Sequence, residues 1–183
     1  MLLTIPNFLT FLRLGSLPLS VLFWRHNQSF LSAIIFFSGM LTDSIDGWIA
    51  RKMNQTSLIG TYLDPIVDKV VILCWLYELA LSSIININLA HLFLVRELIH
   101  DGIRGFAAIR GNVVGANAMG KTKAFLQVII ILWGILSGTF SRILPSPIAN
   151  LLNLIFPYFT CAVLLLSYIF TAEFIRRNRQ IFK

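Results

Sequence analysis

The chain has 183 residues, of which 57% are hydrophobic and only 13% are charged, and its formal net charge is +7. The charged fraction is about half that of a soluble domain, and with a mean hydropathy of +0.79 the composition excludes an ordinary soluble enzyme. So apolar a chain also argues against nucleic-acid binding, despite its basic charge. We therefore expect a single integral-membrane domain that covers residues 1–183.

Six apolar stretches follow one another along the chain, each close to the roughly 20 residues that cross a bilayer as a helix. An open-ended segment satisfies its own backbone hydrogen bonds in lipid only as a helix. We therefore predict an all-α membrane protein with about six transmembrane helices. The stretches cover approximately residues 5–24, 30–50, 58–81, 89–109, 117–140 and 148–171.

Basic residues concentrate on one side of the six expected spans, where a cytoplasmic location is typical. Only Arg25 and Arg142 fall on the other side. We therefore expect both termini in the cytoplasm, at an inner membrane, with an interface that attracts phosphorylated substrates. The basic residues on the cytoplasmic side are Arg51, Lys52, Arg104, Arg110, Lys121, Lys123, Arg176, Arg177, Arg179 and Lys183.

Four of the five aspartates lie in the second and third stretches. At about 100° per residue, Asp43 and Asp46 share one helix face, and Asp64 and Asp68 share another. If the two helices face each other, the four carboxylates converge. Small residues on the same faces allow close approach of a helix or a ligand. These are Gly47, Ala50 and Gly60.

Converging carboxylates repel one another in a low-dielectric setting, and Arg51 with Lys69 does not balance four acids. Hard divalent cations can balance the negative charge of the four carboxylates, and oxygen ligands suit Mg²⁺ or Mn²⁺. We predict two such ions, which would also bind a pyrophosphate, with Arg51 near a phosphate. Two alternatives stay open. In the first, the aspartates pair with Lys or Arg and hold helices together. In the second, they line the cation pathway of a secondary transporter.

The segment from Asp43 to Asp68 closely resembles the signature of the CDP-alcohol phosphatidyltransferase family. The positions that carry the resemblance are Asp43, Asp46, Gly47, Ala50, Arg51, Gly60, Asp64 and Asp68. It implies a six-helix membrane fold, usually a homodimer, with a site that opens to the cytoplasmic interface.

The same resemblance assigns roles to the matching positions. It implies two metal ions held by Asp43, Asp46, Asp64 and Asp68, with Asp68 as the general base. The CDP contacts that it implies are Gly47, Ala50, Arg51 and Gly60.

Other segments resemble members of the family that transfer the phosphatidyl group of CDP-diacylglycerol to glycerol 3-phosphate and release CMP. They lie between about residues 4 and 135: Ile5–Thr10 with Arg13, Leu63–Lys69, Arg96-Glu97 with Arg104, and Gly120–Lys123. Serine or inositol phosphate stays open as the acceptor. Asn7 and Thr10 either line the nucleotide site, as the resemblance suggests, or cap the first helix.

The fourth stretch favours an anionic acceptor. Glu97, His100, Asp101 and Arg104 share one helix face, and two lysines begin the next stretch on the same membrane side. We predict that the acceptor phosphate is bound by Arg13, Arg104, Lys121 and Lys123. The alternatives are that Arg104 pairs with Glu97 or Asp101 within its helix, and that Arg13 and the lysines extend to the membrane surface.

Overall fold

A computed structural model describes the backbone of residues 5–53, 58–110 and 118–179, and the side chains of residues 10–41, 64–110 and 119–179. In these ranges the chain forms six helices and no strands. The helices are α1 (Ile5–Arg25), α2 (Ser29–Met53), α3 (Leu58–Leu81), α4 (Ile87–Ile109), α5 (Ala118–Ile143) and α6 (Ser146–Arg177). Each helix coincides with one predicted apolar stretch, so the predicted all-α fold is confirmed.

Short turns join three pairs of consecutive helices. Asn27 adopts a left-handed conformation, with φ of 61°, in the turn between α1 and α2. The side chain of Asn86 caps α4 by accepting a hydrogen bond from the Asn88 backbone nitrogen at 2.9 Å. Pro145 precedes α6, where the missing backbone donor of a proline costs little. Turns this short make α1 and α2, α3 and α4, and α5 and α6 antiparallel neighbours.

Helices α3 and α5 lie at the centre of the bundle. Helix α3 packs against α1, α4 and α5, and helix α5 packs against α2, α3 and α6. Gly134 lets α5 approach α3 closely, because a Cβ atom there would lie 2.6 Å from a methyl carbon of Leu79. The fully buried apolar side chains of the two central helices are Trp75, Leu76, Leu79, Ile130, Ile131 and Ile135.

The outer surface of the bundle is apolar as well. Large exposed side chains occur on every helix, among them Phe11, Phe30, Leu98, Phe125 and Tyr158. Soluble proteins rarely expose so much contiguous apolar surface. Two helices in the described part of the chain, Met119–Ile143 and Ser146–Arg177, are long and apolar enough to cross a membrane.

Candidate active site

Two carboxylates of α3 contact the start of α1. Asp64 and Asp68 lie one helical turn apart, on the side of α3 that packs against α1. The hydroxyl of Thr10 donates a hydrogen bond to Asp64 Oδ1, and Nη1 of Arg13 forms an ion pair with Asp68 Oδ1. Helix α1 therefore supplies one hydroxyl and one guanidinium to this carboxylate pair.

Arg13 is held from two directions. Its side chain is completely buried, and its Nε donates to the Gly39 carbonyl oxygen of α2 at 3.2 Å. Gly39 permits this close crossing of helices, because a Cβ atom there would lie 2.5 Å from Ser16 Oγ. The Asp68 side chain stays 32% exposed, so its pairing with Arg13 leaves part of the carboxylate accessible.

Several predicted site residues have side chains outside the ranges that the structure describes. They are Asn7 on α1, Asp43, Asp46, Gly47, Ala50 and Arg51 on α2, and Gly60 on α3. Convergence of the four aspartates therefore stays a prediction. Among the described side chains no group of three or more His, Cys, Asp or Glu is placed to hold a metal ion. Asp64 and Asp68 offer carboxylate oxygens one turn apart, which fits hard divalent cations.

A cavity of about 350 Å³ lies between α3, α4, α5 and α6, beside Asp68. Its lining includes five cationic side chains and two carboxylates, and it is therefore net positive. The cations are Lys69, Arg96, Arg104, Lys121 and Lys123, and the carboxylates are Asp68 and Glu97. Asp68 of the aspartate signature therefore faces the same cavity as the five cationic side chains, which can attract an anionic small molecule.

Glu97 is the centre of a buried polar network in the cavity wall. Its Oε1 accepts from Nζ of Lys123 and from Nε2 of Gln127, the latter at 3.4 Å, and its Oε2 accepts from Nη1 of Arg96 at 3.1 Å. Arg96 also donates from Nε to the Ser167 carbonyl oxygen at 3.1 Å. The network therefore ties α4 to α5 and α6, and pairing within it reduces the cost of burying these charges.

The predicted acceptor residues lie in two places. Arg104, Lys121 and Lys123 line the cavity, whereas Arg13 pairs with Asp68 on the α1 side. Lys123 is buried and paired with Glu97, and Lys121 is exposed. A role of these four residues in phosphate binding stays a prediction.

Lys69, Arg96 and Gln127 also line the cavity, although none of them belongs to the predicted site. Lys69 forms an ion pair with Asp101, and Arg96 and Gln127 contact Glu97. A signal for Gln127 was present, since it lies one turn after Lys123 and interrupts the apolar run from residue 124 to 136. Polar groups at that spacing inside a membrane segment indicate a shared buried face.

The model of the CDP-alcohol phosphatidyltransferase family matches residues 3–172. The chain is 36% identical over 162 residues to the CDP-diacylglycerol–glycerol-3-phosphate 3-phosphatidyltransferase of Wigglesworthia glossinidia brevipalpis, which covers 78% of this chain and 88% of that protein. A protein of the same name from Rickettsia bellii is 35% identical over 127 residues, covering 68% and 70%. Another, from Blochmanniella floridana, is 29% identical over 188 residues, covering 90% and 94%.

Proposed function

The chain belongs to the CDP-alcohol phosphatidyltransferase family, and from this premise we propose that it transfers the phosphatidyl group of CDP-diacylglycerol to glycerol 3-phosphate. The products are phosphatidylglycerophosphate and CMP. The similar proteins of Wigglesworthia and Rickettsia are named for this reaction. The observation that carries the proposal is the cavity in which Asp68 and a cationic wall face the same space. An acceptor with a hydroxyl at one end and a phosphate at the other fits that arrangement.

The family and two apolar helices indicate a membrane-associated protein. We infer that all six helices cross the bilayer, which the apolar outer surface supports. We also infer a homodimer, from the family resemblance alone. Light scattering of the purified protein, corrected for bound detergent, tests that assembly.

The cavity lies at the same end of the bundle as both ends of the described chain. It is lined by the first half of α3, with Asp68, and by the start of α5, with Lys121. The end of α4, with Arg104, and the end of α6, with Phe174, complete it. The contact of Thr10 with Asp64 brings the start of α1 to the same end. Because basic residues mark the cytoplasmic side, we infer that the site and both termini are cytoplasmic. The lipid tails then stay in the bilayer while glycerol 3-phosphate arrives from water.

We propose that Asp43, Asp46, Asp64 and Asp68 hold two Mg²⁺ or Mn²⁺ ions. Ions bound there would stabilise negative charge on the pyrophosphate of the lipid substrate. Thr10 and Arg13 orient the two α3 carboxylates through the contacts described above. We place the CDP moiety beside them, at Asn7, Thr10, Gly47, Ala50, Arg51 and Gly60.

The chemical step uses Asp68 as a general base. Its carboxylate accepts the proton of the terminal hydroxyl of glycerol 3-phosphate, and the resulting oxygen attacks the lipid-side phosphorus in line with the departing CMP oxygen. Arg51 stabilises the charge on CMP.

Arg104, Lys121 and Lys123 hold the acceptor phosphate. Arg13 also reaches it, in our proposal, once its pair with Asp68 loosens.

The proposal is tested with the purified protein, CDP-diacylglycerol and one acceptor at a time. We expect CMP release with glycerol 3-phosphate in the presence of Mg²⁺ or Mn²⁺, and none when the acceptor is omitted or EDTA is added. Serine and inositol phosphate serve as the competing acceptors. Faster CMP release with either of them would reassign the acceptor. Uptake of a cation into proteoliposomes without CDP-lipid would instead favour a transporter.

A further inference from the structure

His100 lies in the cavity wall between two arginines of the same helix. Arg96, His100 and Arg104 are spaced one turn apart on α4, and all three line the cavity. The imidazole ring packs against Phe174 with ring centroids 4.9 Å apart. Its Nδ1 is buried, and the described part of the chain offers it no hydrogen-bond partner. Buried polar atoms are nearly always paired, so an imidazole in the cavity wall with an unpaired nitrogen is a candidate to bond a molecule bound in the cavity.

The chemistry of the neighbouring side chains limits which chemical group that partner can be. Arg104 and Lys121 already supply positive charge for a phosphate, and Asp68 supplies a base for a reacting hydroxyl. An imidazole differs from all of these, because one ring can donate or accept a hydrogen bond without carrying a charge. It therefore suits a neutral polar group that lies between an anionic end and a reacting end. The secondary hydroxyl of glycerol 3-phosphate is such a group.

We propose that His100 is a specificity-determining residue that forms a hydrogen bond with the secondary hydroxyl of the acceptor. The inference rests on the proposed function. It names the side chain that distinguishes glycerol 3-phosphate from a hydroxyalkyl phosphate without the secondary hydroxyl. An acceptor without that hydroxyl leaves the buried Nδ1 unpaired in the complex. Because an unpaired buried polar group is costly, a site that hydrogen-bonds a hydroxyl discriminates against analogues that lack this hydroxyl.

A purely structural role for His100 makes a different prediction. If the ring only fills space against Phe174, replacing it changes the rate with every acceptor by the same factor. A hydrogen bond to one hydroxyl changes the rate only with acceptors that carry this hydroxyl. The ratio between two acceptors therefore separates the two roles, even where a variant is less active overall.

The experiment compares glycerol 3-phosphate with 3-hydroxypropyl phosphate, which lacks only the secondary hydroxyl. For the wild type we expect kcat/KM to be about tenfold or more higher with glycerol 3-phosphate, the size expected for one buried hydrogen bond. His100→Phe keeps a ring against Phe174 and should bring the ratio close to one. His100→Gln, whose amide still forms hydrogen bonds, should retain part of it. His91→Phe is the matched control, because His91 is exposed, packs edge-on against Tyr77 and does not line the cavity.

Each outcome bears on the inference. An unchanged ratio in His100→Phe, or a wild type without preference between the two acceptors, overturns the role of His100 and leaves the proposed function standing. Absence of CMP release by the wild type with glycerol 3-phosphate overturns the proposed function and the inference with it. If His100→Phe does not elute as a monodisperse folded protein, His100→Ala is measured in its place, with the same expected loss of the ratio.

Discussion

Two arginines of α1 pair with carboxylates of α3 at opposite ends of the bundle, and their surroundings differ. Arg13 is completely buried and pairs with Asp68 beside the cavity. Arg25 is 61% exposed and binds Glu78 with Nη2 at 2.8 Å and Nε at 3.2 Å. An exposed pair of this kind contributes at most about 1 kcal/mol. Burying the Arg13 guanidinium costs desolvation that its attraction to Asp68 does not reliably offset, so stability alone does not account for this pair.

The same contrast extends to the rest of the described side chains. The buried charged residues among them are Arg13, Arg96, Glu97 and Lys123, and each lines the cavity or contacts a residue that does. The other half of the interior is built from apolar groups, such as Trp75 packed between Trp24 and Phe36. Among the described residues, buried charge therefore lies in one half of the bundle and apolar packing fills the other. The following predictions test that division, from the largest effect to the smallest.

Asp64→Asn should lower the rate of CMP release by about 10⁴-fold, because losing a ligand removes several kcal/mol of metal-derived stabilisation. The amide still accepts the hydrogen bond from Thr10, so the unfolding temperature should change little. Mn²⁺ binding followed by electron paramagnetic resonance should weaken in parallel. Full activity in this variant would contradict the metal role of α3.

Glu97→Gln should destabilise the protein by about 3 kcal/mol or more, because it leaves Lys123 and Arg96 as buried charges without a carboxylate. Thermal unfolding in detergent measures this change.

The matched control for Glu97→Gln is Glu78→Gln, which breaks the exposed pair with Arg25 and should cost less than about 1 kcal/mol. The double variant Glu97→Gln, Lys123→Met should recover part of the lost stability. Equal losses in the two single variants would remove the distinction between the two ends.

Gly134→Ala should destabilise the bundle by about 2 kcal/mol through overpacking, because Leu79 is fully buried and has no room to move away. Gly138→Ala, one turn further along α5, should be neutral or stabilising by up to about 1 kcal/mol, since nothing lies within 4 Å of the added carbon. Unfolding temperatures of the two variants, with the sign of each change, test how closely α3 and α5 pack.

Lys121→Met should raise the KM for glycerol 3-phosphate by about five- to tenfold and change kcat little, because an exposed cation contributes about 1 kcal/mol to binding an anion. Arg142→Met, at the opposite end of α5, serves as the control and should leave KM unchanged. Steady-state CMP release at varied acceptor concentration measures both. A KM that is the same in the two variants would exclude Lys121 from the acceptor site.

Much of the fold could be predicted from the sequence. Apolar length and backbone hydrogen bonding within each segment determine where the helices lie, and α3 occupies the predicted stretch from residue 58 to 81. Helix α6 shows the limit of this reasoning. It continues six residues beyond its predicted end at residue 171, where Glu173 pairs with Arg176 and Arg177. Ion pairs one turn apart therefore extend the helix past the apolar stretch.

The candidate site, like the fold, was predictable from the sequence only in part. The spacing of the aspartates and the charged face of α4 were sufficient to predict which charged side chains share a helix face, because residues three or four apart lie on the same side of a helix. The partner of each charge was not predictable. Arg13 contacts Asp68 across 55 positions, and Lys123 contacts Glu97 across 26. Such pairs depend on how helices rotate and approach one another, which is determined by packing at contacts such as Gly39 with Ser16 and Gly134 with Leu79.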